Sequence, residues 1–195
     1  MDPQLCAMLS QLNSADGALN QQSTFRVAAI EGQGVLDTLG RFVMSGVGHI
    51  LPGGLDHILF VLALFLAARR AASLIWQISA FTLAHTSTLA LAATGLVNLP
   101  SSLVEPVIAF TIAFVAVENL LFKDVVKWRP VVVFIFGLIH GLGFASFFSA
   151  LDLPPGLFWS ALIGFNIGVE VGQMGIVVLA AVAVRLCFKK PAQDV

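Results

Sequence analysis

Two of the chain's four histidines and a carboxylate fall within one short stretch, His49-Ile50-Leu51-Pro52-Gly53-Gly54-Leu55-Asp56-His57, with apolar sequence on both sides. The other two histidines, His85 and His140, also sit inside apolar runs. Imidazole and carboxylate without thiolate suit first-row divalent metals: zinc, nickel, cobalt or iron. A transport path also calls for proton-active or exchangeable ligands, and His and Glu qualify. Ionisable side chains inside a bilayer are costly, so their presence in apolar sequence points to a site. One buried histidine bonded to a neighbouring carbonyl would need no further account; four of them beside acids do.

Composition sets the elements that must hold these side chains. The chain has 195 residues, 58% hydrophobic and only 11% charged, with mean hydropathy +0.94. Soluble domains carry about 25% charged residues. Several apolar runs approach or exceed the ~20 residues that cross a hydrocarbon core of about 30 Å. An all-α polytopic transmembrane bundle is expected. With a net charge of -1 and no basic patch, nucleic acid is excluded as a partner; lipid, a metal ion and further copies of the chain remain. Cys6 and Cys187 form no CxxC pattern and read as incidental thiols. No basic n-region and apolar h-region open the chain, so the internal helices are expected to direct insertion.

The chain divides into an N-terminal cytoplasmic or interfacial segment (1–35), a helical membrane domain (36–188) and a short tail (189–195). Six apolar helices are expected, at about 36–51, 55–68, 73–97, 103–122, 130–151 and 157–188. Pro52-Gly53-Gly54, Asn98-Leu99-Pro100 and Pro154-Pro155-Gly156 break them. Arg69-Arg70, the loop from Lys123 to Arg129, and the end from Arg185 to Lys190 carry the basic residues, while the Pro/Gly turns carry none. The positive-inside rule then gives six spans with both termini cytoplasmic. The first two helices are short, and their Pro-Gly-Gly tip is expected to form a broken hairpin ending inside the membrane. That is tolerated only where protein or a water-filled cavity covers the backbone.

Depth singles out the site. His85 lies 15 residues past Arg70, His140 lies 11 past Arg129, Glu170 lies 15 before Arg185 and Asp56 lies 13 before Arg69. At 1.5 Å per residue these sit roughly 16–23 Å from the cytoplasmic side. His49 joins them at that level. Asn166, Glu170 and Gln173 form one polar stripe at helical spacing, and Gly164, Gly168 and Gly172 a small-residue face suited to close packing. Thr82, Thr86, Ser87 and Thr88 flank His85 with hydroxyls. Glu118 lies nearer the cytoplasm and Glu105 near the outer end. Metal ligands are expected at His49, Asp56, His57, His85, His140 and Glu170, with Glu105, Glu118, Asn166 and Gln173 as secondary candidates. The 16 phenylalanines read as lipid-facing. A short repeat, F-x-L-x-H, recurs at Phe81–His85 and Phe136–His140, each followed by a helix with a Val-Glu pair, Val117-Glu118 and Val169-Glu170.

The stretches Gly48–Phe60, Phe81–Leu89, Phe136–Ala145 and Phe165–Gln173 resemble the HupE/UreJ family of bacterial membrane proteins, over about residues 40–180. The resemblance implies an inner (cytoplasmic) membrane location and a role in nickel or cobalt uptake. This chain is most similar to the second branch of the family. The nickel permease pattern has five residues between its first His and the Asp-His pair, where this chain has six. Phe136 and Gly143 stand where that pattern has His and Glu. Three readings follow. The first is transport of a divalent metal, nickel or cobalt. The second is an intramembrane zinc hydrolase, with Glu118 or Asp56 as general base. The third is an accessory subunit of a metal-handling complex.

Overall fold

A computed structural model describes residues 34–122, 128–151, 153 and 155–187. Most of the N-terminal segment and all of the tail thus lie outside the described residues. Those described form seven helices and no strand: α1 (Val35–Ile50), α2 (Leu55–Ala67), α3 (Ala71–Ala93), α4 (Ser101–Leu121), α5 (Arg129–Gly143), α6 (Ala145–Ser149) and α7 (Pro155–Cys187). The helix α4 and the stretch Gly156–Cys187 are each long and apolar enough to cross a membrane, as is the bent pair α1–α2 taken together. The chain is therefore an all-helical membrane protein. At 23 residues α3 is long enough, but Gln77, Ser79, Thr82, His85, Thr86, Ser87 and Thr88 lower its hydropathy.

Two breaks differ from expectation, each for a local reason. The stretch expected to stay helical to 97 ends at Ala93. Gly95 takes φ +79, the amide of Leu96 reaches Leu91 O at 3.0 Å and that of Gly95 reaches Ala92 O at 3.0 Å. This is a Schellman end, and glycine meets its left-handed position without a Cβ clash. The stretch expected at 130–151 is broken at Phe144, just after Gly141 and Gly143. Phe144 stacks on Phe165, with centroids 4.9 Å apart and planes 9° apart.

Close-packed glycines fix the helix directions. Gly164 lies against Leu39, Gly168 against Val43 and Gly172 against Ile50, so α1 and α7 run parallel. Gly137 faces Phe81 and Ala84, and Gly141 faces His85 and Thr88, so α3 and α5 are parallel too. Thr111 meets His140 and Glu118 meets Arg129, making α4 antiparallel to α5. Down α2, His57 neighbours His85, Phe60 neighbours Phe81 and Phe136, and the Ala63 carbonyl accepts from Asn119 at 2.7 Å, at the foot of α5. Phe42 of α1 packs on Phe148 of α6, past the far end of α5, with centroids 5.8 Å apart.

The hairpin expected at 36–68 is therefore not formed. From Phe42 beside α6 to Ala63 beside the foot of α5, the path through α1 and α2 keeps advancing. The Pro-Gly-Gly break turns it by 73° instead of reversing it. The Leu51-Pro52 peptide is cis. Such a breaker permits either geometry, and the decision falls to packing: Gly46 presses on Phe165 and Val169, which holds α1 along α7.

The phenylalanines, expected to face lipid, are divided. Phe110 and Phe134 are exposed, but Phe60, Phe81 and Phe165 are wholly buried around the histidines. At the other end of the bundle Arg129 and Glu118 form a buried ion pair, with Nε and Nη2 at 3.1 and 2.9 Å from Oε2. The same guanidinium donates to Asn119 Oδ1. α2, α4 and α5 are thus tied at one point.

Two substitutions test this frame. A Cβ on Gly46 would come within 2.8 Å of Val169 N, and overpacking costs about 1–3 kcal/mol. Gly46→Leu should lower the melting temperature of the detergent-solubilised protein, while Gly40→Ala, with nothing within 4 Å, should not. Glu118→Gln leaves a buried guanidinium uncompensated, a loss of about 3–5 kcal/mol. Arg129→Met added to it should recover part of that loss in the same melt.

Candidate metal centre

His57 is the hub. It opens α2, one turn past the break, and is 2% exposed. Its ring centroid lies 5.1 Å from that of His49, 5.7 Å from His85 and 5.3 Å from His140. Each neighbour comes from a different helix: the last turn of α1, the middle of α3 and the last turn of α5. The bend between α1 and α2 lets one short stretch contribute His49 from one side and Asp56 and His57 from the other. Phe60 and Phe81 close the cluster below, 5.4 and 5.0 Å from the His140 ring.

The nitrogens of this cluster are underused. His49 Nε2, both nitrogens of His57, His85 Nε2 and His140 Nδ1 are buried without a hydrogen-bond partner. His57 Nδ1 does lie 3.2 Å from Asp56 Oδ1, a polar contact lacking hydrogen-bond alignment. An unsatisfied buried polar atom costs about 1–3 kcal/mol, so so many in one place call for a ligand.

Two neighbours decide which nitrogens carry lone pairs. The Thr111 hydroxyl donates to Ile108 O at 2.7 Å, so its oxygen is left to accept from His140 Nε2–H at 2.9 Å. In the neutral ring Nδ1 then holds the lone pair. Asn166 Nδ2 donates to Leu162 O at 2.8 Å, which turns Oδ1 toward His85 Nδ1 at 3.3 Å. His85 Nδ1 must donate, and Nε2 is the free base. Partners that fix ring and tautomer in this way are the usual support of metal-ligating imidazoles.

Asp56, His57 and His140 each offer one ligand atom, all within 4.8 Å of one another. Donors sharing one ion at about 2.0–2.2 Å lie no more than about 4.4 Å apart. Side-chain adjustments of a few tenths of an ångström would therefore gather these three on one divalent ion. His85, whose Nε2 is also without a partner, has its ring 5.7 Å from that of His57. His49 stands to one side, half-buried, its ring centroid 4.2 Å from that of Phe144 and 5.4 Å from Phe165.

The other candidates lie elsewhere. Glu170 accepts from the Ser79 hydroxyl at 2.6 Å. Gln173 is bonded to Thr82 at 2.9 Å. Asn166 serves His85. Glu118 is committed to Arg129, and Glu105 is exposed on α4. Thr111, bonded to His140, is a neighbour of the cluster that sequence reasoning passed over. A threonine in an apolar helix carries no signal until the partner helix is known.

Comparison with known proteins gives one match. Residues 24–194 fit the family model described as HupE / UreJ protein. No curated protein and no solved structure matches.

The support given by Thr111 is testable with cobalt. Thr111→Val keeps the shape and removes the acceptor for His140 Nε2–H. Cobalt affinity of the purified protein should fall about 10–100-fold while the melting temperature holds. Unchanged affinity would show that His140 needs no such support.

Proposed function

The chain belongs to the HupE/UreJ family, and on that premise we propose that it carries a divalent nickel or cobalt ion across the inner membrane, binding it midway through Asp56, His57, His85 and His140. The observation that carries this reading is the group of partnerless imidazole nitrogens gathered at His57. Nitrogen-rich sites with one carboxylate favour nickel and cobalt over magnesium or calcium, which take oxygen ligands. His49 is the first ligand met from the outer side, and its partly open position suits exchange. Moving the ion from His49 to the Asp56–His57–His140 group needs adjustment only at the bend joining their helices.

The topology we propose has five spans rather than six, with the broken α1–α2 path as the first, α5–α6 as the fourth and the C-terminus inside. It follows from the parallel course of α1 and α7 together with the basic residues at 69–70, 123–129 and 185–190, which then all face the cytoplasm. Arg41, paired with Asp37 at 2.9 Å, lies on the outer side. Nickel or cobalt entering from that side passes His49, then the central group, and leaves toward the cytoplasm.

Two experiments test these statements. Proteoliposomes containing the wild-type chain should accumulate nickel or cobalt, and His57→Ala and His140→Ala should fall to the background of empty vesicles. Stoichiometric zinc surviving purification, without uptake, would favour the hydrolase instead. For topology, a cysteine at Gly40 in a Cys6→Ser chain should react with an impermeant maleimide added outside intact cells, while Cys187 should react only after lysis. Labelling of both from the same side would overturn the five-span arrangement.

A further inference from the structure

α7 carries a second set of polar groups that the histidine centre does not use. Glu170 and Gln173 are three residues apart on α7, and Ser79 and Thr82 are three apart on α3, so each pair shares a helix face. The two faces meet: Ser79 Oγ donates to Glu170 Oε1 at 2.6 Å, and Thr82 Oγ1 lies 2.9 Å from Gln173 Oε1. Asn166, which supports His85, is one turn earlier on α7. By the rise per residue, the set sits roughly 5–10 Å along the helices from the His85–Asn166 pair.

Two features of this set ask for a cation. Glu170 is a carboxylate in the middle of a span, and among the described residues no Lys, Arg or His lies within ion-pair distance of it. Glu118, the acid at the equivalent place in the repeated pattern, has Arg129. A charge within a membrane span demands compensation, and among the described residues the half-buried Glu170 finds one hydroxyl. The second feature is Gln173, wholly buried with its Nε2 unpartnered. Thr82 has one hydroxyl proton but two acceptors near it, Ile78 O at 3.1 Å and Gln173 Oε1. A half-turn of the Gln173 amide resolves this: Nε2 then donates to Thr82, Thr82 donates to Ile78 O, and the carbonyl Oε1 becomes the free atom. Carboxylate, amide carbonyl and serine hydroxyl then offer three oxygen donors on the facing sides of α3 and α7.

We propose that Glu170, Gln173 and Ser79 form a second, oxygen-lined cation site between α3 and α7, on the cytoplasmic side of the histidine centre. This proposal rests on the transport reading and gives it a release step. First-row ions such as nickel and cobalt hold imidazole more tightly than uncharged oxygen donors, so the second site is the weaker. An ion leaving His85 and His140 meets the Glu170 carboxylate next, and its weaker hold there lets water take it on the inner side.

The test is titration of the purified full-length chain with Co²⁺ alone, followed by visible absorption and by equilibrium dialysis. Wild type should bind two classes of cobalt. The tight class should have the intense bands of nitrogen-rich tetrahedral cobalt and the weak class the faint bands of oxygen-rich octahedral cobalt. Glu170→Gln, which keeps the acceptor for Ser79, should lose the weak class only, and His140→Ala should lose the tight class only. Gln173→Glu, adding a ligand charge, should tighten the weak class by about tenfold; this gain does not depend on Glu170→Gln folding. Loss of both classes in Glu170→Gln, at unchanged melting temperature, would make Glu170 a ligand of the histidine centre and overturn the second site. So would a single cobalt class in wild type, or an unaltered weak class in both Glu170→Gln and Gln173→Glu. Cobalt binding unaltered in His140→Ala would instead sink the transport reading itself.

Discussion

The imidazole of His57 has neither nitrogen hydrogen-bonded, in a cluster closed by phenylalanine rings, and the rest of the molecule is built around that condition. Water would satisfy such nitrogens at no cost, so burying them is worthwhile only if something else takes the lone pairs. Around His57 the protein brings three more imidazoles and one carboxylate, and it arranges them unequally. His85 and His140 are held by Asn166 and Thr111, which leaves each ring one basic nitrogen without a partner. His49 leans on aromatic rings and has no such tether. The rings of His85 and His140 are thus preset by polar bonds, and that of His49 by aromatic contact.

Helix packing makes this arrangement affordable in a membrane, where apolar contact between helices brings little advantage over contact with lipid. The glycines of α1 and α7, and those of α5 against α3, bring backbones close enough for dispersion and polar contacts to hold. In both interfaces a glycine stands within one turn of a functional side chain: Gly46 before His49, Gly141 after His140. A larger residue at either place would push away the helix that carries or faces a ligand. The two broken regions, at Pro52–Gly54 and at Phe144, flank the same cluster. Irregular backbone at these two places is covered by the protein around the cluster.

The acids show how similar sequence can serve different ends. Val117-Glu118 and Val169-Glu170 are matching dipeptides in a repeated pattern, and the F-x-L-x-H segments that precede them do lie on parallel, glycine-packed helices. Yet Glu118 is neutralised by Arg129 and helps tie three helices together, while among the described residues Glu170 meets the Ser79 hydroxyl and no cation. The difference is not in the acids. It comes from what the facing helix offers, a guanidinium in one case and a hydroxyl in the other.

The sequence alone was enough to establish a helical membrane protein and the family. Those properties depend on composition, on spacing along single helices and on short motifs, all of which are local. It also located the helix breaks at Pro52–Gly54 and at 98–100, because proline and glycine act on their own backbone. What it could not hold was the relation between helices. A Pro-Gly-Gly break bends or reverses a chain equally well, and only the fit of α1 along α7 decided for a bend. The same holds for Thr111, Asn166 and Arg129, whose roles exist only once a partner from another helix faces them. Apolar stretches are read one at a time, whereas the direction of one helix against another is a property of pairs, which tertiary packing sets.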